Sequence, residues 1–307
     1  MTDPATDAPI RTVTGPLPIS AVQGGVLAHE HLRMDLRWPV GAESEPRRWL
    51  DEEIHVCDEL TGLRERGDLG LVVELTCLGM GRDAPALARI SAASGVAVVA
   101  GTGFFTEPFH PAGARGLDAG RMAERLVAEI GFGMDGTSVL PGVIGEIGCW
   151  GEQPTPAEET ALKAAAQASL ASGLPVATYG RSGPAQLELL MAASLDPARV
   201  AVGQQSLSAD PGAHRKLAEL GAYVCFGRLA ATGEQAVRPV LELIEAGYAD
   251  RLLLGGGICR MEQIAHYGGP GYGTVFDAFV PALRAHGVDE ATLDAITRKN
   301  ALRWLAG

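Results

Sequence analysis

The chain has 307 residues, 47% of them hydrophobic and 20% charged, a balance that builds a packed core and excludes a disordered or fibrous polymer. Its formal charge is −12 with no block of Lys or Arg, which argues against nucleic acid as a partner. No apolar run reaches the ~18 residues of a membrane span, and the polar start Met1–Thr12 reads as neither secretory signal nor transit peptide, so a cytoplasmic protein with no membrane contact is expected.

In chain order, residues 1–14 read as a flexible N-terminal segment, and residues 15–307 as one domain, because no Pro-, Ser- or Gly-rich linker divides them. Short apolar, β-branched runs predict strands at Gly25–His29, Leu71–Thr76, Val96–Gly101, Gly142–Gly148, Pro175–Thr178, Val200–Gln205, Tyr223–Gly227 and Leu252–Gly256. Nearly continuous apolarity is what a parallel strand covered on both faces requires. Helices are predicted between them. Asp118–Gly131 carries Met122, Leu126 and Ile130 on one stripe, and Thr155-Pro156-Ala157-Glu158 has capping-box spacing with Gly173 as the stop. Asp210–Leu220, Glu234–Ala246 and Thr274–His286 complete the set. Eight β–α alternations predict the α/β class and a single-domain (β/α)8 TIM barrel. The longest inserts, Leu32–Trp49 and Ile258–Tyr272, fall at the C-terminal mouth, where βα loops shape active sites.

The cysteines, Cys57, Cys77, Cys149, Cys225 and Cys259, are odd in number and contain no Cys-x-x-Cys pair, so they read as reduced thiols. His29-Glu30-His31 ends the first strand, where alternation points both imidazoles one way and Glu30 the other. The pair is either a set of metal ligands or two rings satisfied by hydrogen bonds at a strand end. Glu146 stands in an otherwise apolar strand and needs a cation, a metal, several donors or an ion pair such as one with Arg228. His55, His110, His214 and His286 have no partners at ligand spacing and are expected at the surface.

Taken with Gly79–Asp83, Gly101–Phe105, Gly145–Gly148, Thr155–Glu159, Tyr267–Gly271 and Asn300–Arg303, the His-Glu-His segment resembles the phosphotriesterase-like family of the amidohydrolase superfamily. The likeness runs from about Gly15 to the C-terminus. It implies a (β/α)8 barrel that hydrolyses phosphoesters, lactones or related esters with divalent metal, on a small-molecule substrate, with a homodimer among the states it allows. Carried over, His29 and His31 match ligands of the more buried metal and Glu146 the bridging ligand, while Arg228 matches a mouth-facing arginine.

The departures are as informative. Where the family's fifth strand ends Thr-His, this chain has Thr178-Tyr179, and where the sixth ends Gly-His it has Gly203-Gln204. The eighth-strand aspartate falls on or near Gly257, and a tyrosine after the third strand is Phe105. The second metal should therefore be absent. His29, His31 and Glu146 remain to hold one divalent ion, zinc first, with manganese or iron also compatible. Tyr179, Arg228 and Gln204 become the catalytic candidates, and Cys259, Glu262 or His266 could be recruited from the eighth loop. Cys149 and Trp150 are expected in the pocket wall. The expected function is a one-metal hydrolase of an ester, lactone or phosphoester. The alternatives are a lyase, isomerase or cyclase in the same pocket, or a binding protein without turnover.

Overall fold

The computed structural model describes residues 9–37, 47–208 and 210–307. A hairpin, β1 (Pro9–Thr12) and β2 (Gly15–Pro18), precedes the first barrel strand β3 (Gly25–Glu30). Residues 1–8 of the expected flexible start lie outside the described residues, whereas Ile10, Thr12 and Val13 are buried. The first insert folds as a small antiparallel pair, β4 (Met34–Asp35) and β5 (Trp49–Leu50). The other barrel strands are β6 (Leu69–Glu74), β7 (Ala97–Thr102), β8 (Val143–Gly148), β9 (Val176–Tyr179), β10 (Val200–Val202), β11 (Tyr223–Phe226) and β12 (Leu252–Leu254). They pair in parallel and in sequence order from β3 and β6 through to β12.

Helices α1 (Glu53–Glu65), α2 (Ala84–Ser94), α3 (Ala119–Phe132), α4 (Pro156–Ser172), α5 (Gly183–Ala192) and α6 (Pro211–Glu219) lie between successive strands, followed by α7 (Leu229–Thr232) and α8 (Val237–Glu245) before β12. After β12 come α9 (Val280–Ala285), α10 (Glu290–Asp294) and α11 (Asn300–Ala306). Local chemistry sets their ends. Thr155 and Glu158 form the reciprocal capping box of α4, and Gly173 closes that helix at φ +80°. The segment expected to be one helix from Thr274 begins as a wide π turn, Val275–Phe279, ahead of α9, whose Pro281 has no N–H for the helical ladder.

All eight strands stand where apolar runs place them, and four end early: β6 at Glu74, β10 at Val202, β11 at Phe226 and β12 at Leu254. Gln204 adopts φ +62°, which ends β10 before the expected Gln205. The β12 ladder stops at Leu254 because Gly255 passes close to β3: a Cβ there would lie 2.5 Å from the His29 carbonyl oxygen.

An apolar cluster draws on all eight strands, through Val26, Val73, Val99, Val143, Ala177 and Ala201 among others, and fills the barrel. Trp304 of α11 and Ile10 of β1 join it, so the terminal helix and the hairpin plug the N-terminal end. A larger cluster lies between the strands and the helices.

No strand ladder joins β12 to β3. Gly257 N–H donates to the His29 carbonyl at 3.1 Å, and the buried Glu30 carboxylate accepts from Gly256 N–H at 2.5 Å and Ile258 N–H at 3.0 Å. Burial pushes Glu30 up to about 8, against the pull of those backbone donors. A side chain thus closes the seam. Replacing Glu30 by alanine orphans two buried N–H groups and should cost about 3 kcal/mol in urea unfolding, with Glu30→Gln retaining part of it; an unchanged midpoint for Glu30→Ala would refute this role.

Candidate metal centre and active site

β3 ends at the barrel mouth with His29 at 1% and His31 at 2% exposure, and β8 delivers Glu146 at 0%. The two rings meet edge to face, their centroids 5.5 Å apart. His29 Nε2 stands 3.2 Å from Glu146 Oε1, and His31 Nε2 stands 3.8 Å from Oε2. Neither contact is aligned as a hydrogen bond, and neither buried Glu146 oxygen has an aligned donor, the Gln204 side chain standing near but out of line. Burial, with Arg228 and Arg48 adding to it, lowers His29 to about 3. His31 is held well below its ordinary value by burial, then by His29 and the same two arginines. Glu146 is pushed up to about 8 by burial, against the pull of Arg48, Arg228 and the nearby Gln204 side chain.

These residues fit a metal ion. Neutral imidazoles offer lone pairs, and a buried carboxylate with no aligned donor lacks a cation. One ligand atom from each residue falls within 4.8 Å of the others. Nitrogen and oxygen ligands around one zinc stand about 3–4 Å apart, so small side-chain adjustments suffice.

Beside the cluster, a cleft of about 310 Å³ opens between the ends of β8, β9, β10 and β11, lined by Tyr179, Gln204, Arg228, Cys149 and Trp150. Gln204 is 3% exposed, and its Oε1 has no hydrogen-bond partner. Tyr179 packs edge-on against Phe105, with ring centroids 4.9 Å apart, and its Oη accepts from Arg48 Nη1 at 3.3 Å. Arg228 precedes α7 and forms no ion pair within 4.0 Å among the described residues, while its charge reaches His29 and Glu146.

The six expected site residues therefore gather at one mouth: three in the cluster and three in the adjoining cleft. The suggested recruits from the eighth loop do not line it. Cys259 is buried elsewhere in the apolar core, and His266 stacks on His55 with centroids 3.5 Å apart. Gly257 sits at φ +64°, and a Cβ there would lie 2.1 Å from the Gly227 carbonyl oxygen. The position has no room for an acidic side chain on this backbone.

Sequence reasoning overlooked three residues. Arg48, 4% exposed, reaches the site from the first insert, and the Arg47-Arg48 pair ending that long mouth loop was the available signal. Glu74 and Thr76, both fully buried, stand behind His31. Glu74 is a carboxylate in an apolar strand, the signal that singled out Glu146. Two histidines expected at the surface are buried: His110 Nε2 meets the Phe105 carbonyl at 2.7 Å, and His214 Nε2 the Gln205 carbonyl at 3.1 Å. Each satisfies a loop carbonyl under the barrel rim, which spacing along the chain does not reveal.

A β/α barrel with a buried His-His-Glu cluster under a polar cleft defines a class of enzyme, the barrel hydrolases. The chain belongs to the phosphotriesterase family, whose model matches residues 8–305, and is a hydrolase of that type. It is 34% identical over 284 residues to the phosphotriesterase homology protein of Escherichia coli (strain K12), covering 90% of this chain and 96% of that one. It is 29% identical to the N-acetyltaurine hydrolase of Rattus norvegicus, covering 96% and 97%. The crystal structure of the Escherichia coli protein, with phosphate in its active site, superposes with a TM-score of 0.87 at 32% identity, covering 92% of this chain and 99% of that one. A resiniferatoxin-binding protein from Rhodobacter sphaeroides superposes at 0.89 and 31%, covering 97% and 95%. Among the described residues no helix is long and apolar enough to cross a membrane.

His214 gives a test of buried charge. Burial holds it below its ordinary value, so an unfolded chain takes the proton near pH 6.5 while the folded chain resists it. Stability from this group is present above that pH and is lost as pH falls. His214→Gln should therefore close its stability gap to the natural protein as pH falls below about 6.5, by up to about 1.4 kcal/mol per pH unit. A gap independent of pH in urea unfolding would contradict the assignment.

Proposed function

We propose that the protein is a metal-dependent hydrolase of an ester, lactone, amide or phosphoester-type small molecule, working with one divalent ion, zinc being the ion that two imidazoles and a carboxylate suit best. The observation that carries this reading is the Glu146 carboxylate, without an aligned donor, between His29 Nε2 and His31 Nε2. His29, His31 and Glu146 hold the ion. A divalent ion held there supplies Lewis acidity, polarising a carbonyl or phosphoryl oxygen and lowering the pKa of water at the site.

The chain's own groups orient the substrate and handle protons. Arg228 holds a carboxylate or the oxygen that gains negative charge. Tyr179 Oη accepts from Arg48, which leaves its own proton for a leaving group. Gln204 Oε1, buried without a donor, accepts an N–H or O–H of the substrate. The second-metal positions carry Tyr179 and Gln204, neither of them a carboxylate or an imidazole, so one ion is the stoichiometry the donor set favours. The amide in the substrate class rests on the N-acetyltaurine hydrolase relative, and the phosphoester on the phosphate-bound neighbour. Hydrolase relatives also favour hydrolysis over the lyase, isomerase or cyclase alternative.

Elemental analysis of purified protein should find one divalent metal per chain, with hydrolysis lost on chelation and restored by Zn²⁺ or Mn²⁺, and one ¹⁸O from H₂¹⁸O in the product. Glu146→Gln should lower metal affinity at least about 10-fold and kcat/KM by about 100-fold or more. Full activity in a metal-free sample would reject the reading.

A further inference from the structure

We infer that Glu74 is a positioning residue which, through the Thr76 hydroxyl, fixes His31 as the Nδ1–H tautomer and so presents its Nε2 lone pair to the metal centre. The inference rests on the metal reading only for its purpose; the hydrogen-bond chain stands in the protein itself.

Thr76 has a single hydroxyl proton and two neighbours competing for it. Its Oγ1 lies 2.5 Å from Glu74 Oε1 and 3.0 Å from His31 Nδ1. In its ionised form, which the Leu32 N–H at Oε1 (3.2 Å) and the Thr76 N–H at Oε2 (3.1 Å) stabilise against the burial that pushes it up to about 8, Glu74 can only accept. Thr76 therefore donates to Glu74, and its remaining lone pair receives the proton of His31 Nδ1. A neutral imidazole with its proton on Nδ1 has its lone pair on Nε2, the atom that faces Glu146 at 3.8 Å. The ring is ready to ligate before any cation arrives. This is how an outer carboxylate orients a metal-binding histidine, with a hydroxyl inserted as a relay.

His29 has no such device. Its Nδ1 is buried without a hydrogen-bond partner and lies against Gly227, where even a Cβ would come within 2.6 Å. The two ligands that look equivalent in His29-Glu30-His31 are therefore prepared differently: one is fixed by a relay, the other held by packing alone.

The test uses the full chain, metal-free and ¹⁵N-labelled at histidine, with long-range ¹H–¹⁵N spectra to assign each tautomer and competition against a chromophoric chelator to measure Zn²⁺ affinity. His31 should appear as Nδ1–H. Thr76→Val, which keeps the shape and removes the relay, should abolish that single tautomer and weaken Zn²⁺ binding by about 10- to 100-fold, and Glu74→Gln should do the same. Thr76→Ser, which keeps the hydroxyl, should restore both. His31 observed as Nε2–H in the natural protein, or unchanged tautomer and affinity in Thr76→Val, would overturn the inference, and the first readout needs no variant to fold. Absence of Zn²⁺ binding with His31 as Nδ1–H would support the relay and overturn the metal reading. Zn²⁺ binding with His31 as Nε2–H would overturn the relay alone.

Discussion

A fully buried carboxylate with no aligned hydrogen-bond donor is among the most costly arrangements a protein can keep, because an unpaired buried charge loses several kcal/mol of hydration with little in return. Glu146 is such a group. Arg48 and Arg228 pull on it through space, yet burial still dominates and raises its pKa. Two neutral imidazoles beside it offer lone pairs and no aligned donor. Three acceptors turned toward one point make sense once a cation occupies that point, and the mouth of the barrel is organised around this demand.

Two other buried carboxylates show that the demand is specific. Glu30, Glu74 and Glu146 are all at 0% exposure, and burial raises each to about 8. Glu30 is saturated by the backbone N–H groups of Gly256 and Ile258, and so fastens the barrel seam. Glu74 is saturated by Leu32 N–H, Thr76 N–H and the Thr76 hydroxyl. Glu158, also at 0% exposure, accepts from the N–H groups of Glu107, Trp150 and Thr155, so the fold supplies aligned donors to these three and none to Glu146. Burial and pKa direction do not separate Glu146 from Glu30 and Glu74; the inventory of donors does.

That distinction also marks what the sequence could show. The eight strands were legible because barrel strands covered on both faces must be apolar, and the His-x-His pair and Glu146 because polar residues interrupt those runs. Glu74 interrupts β6 in the same way, so its burial was readable; that it serves His31 was not, since Thr76 joins the two only across neighbouring strands. Arg48 belongs to an insert whose path is set by tertiary contacts, and it reaches Tyr179 across 131 positions of sequence. The ends of β10 and β12 were misplaced because a left-handed Gln204 and the close passage of Gly255, not composition, stop those ladders.

Gly257 links fold and chemistry most tightly. In the resemblance it stands where an eighth-strand acid would be, and a simple loss of that side chain would leave a vacant position. The backbone shows otherwise. Gly255 and Gly256 pass so close to β3 that a Cβ would meet the His29 backbone and the Glu30 carboxylate, while a Cβ at Gly257 would meet the Gly227 carbonyl and Arg228 just after β11. The seam that holds His29 in place is thus built from the residues that exclude an acid there. An acid at Gly257 could return only if this segment moved away from the end of β11, which would disturb the Gly257 N–H bond to the His29 carbonyl. Within this architecture proton transfer falls to groups on the other side of the mouth, where Tyr179 is held by Arg48 and Gln204 stands beside it with an unfilled acceptor.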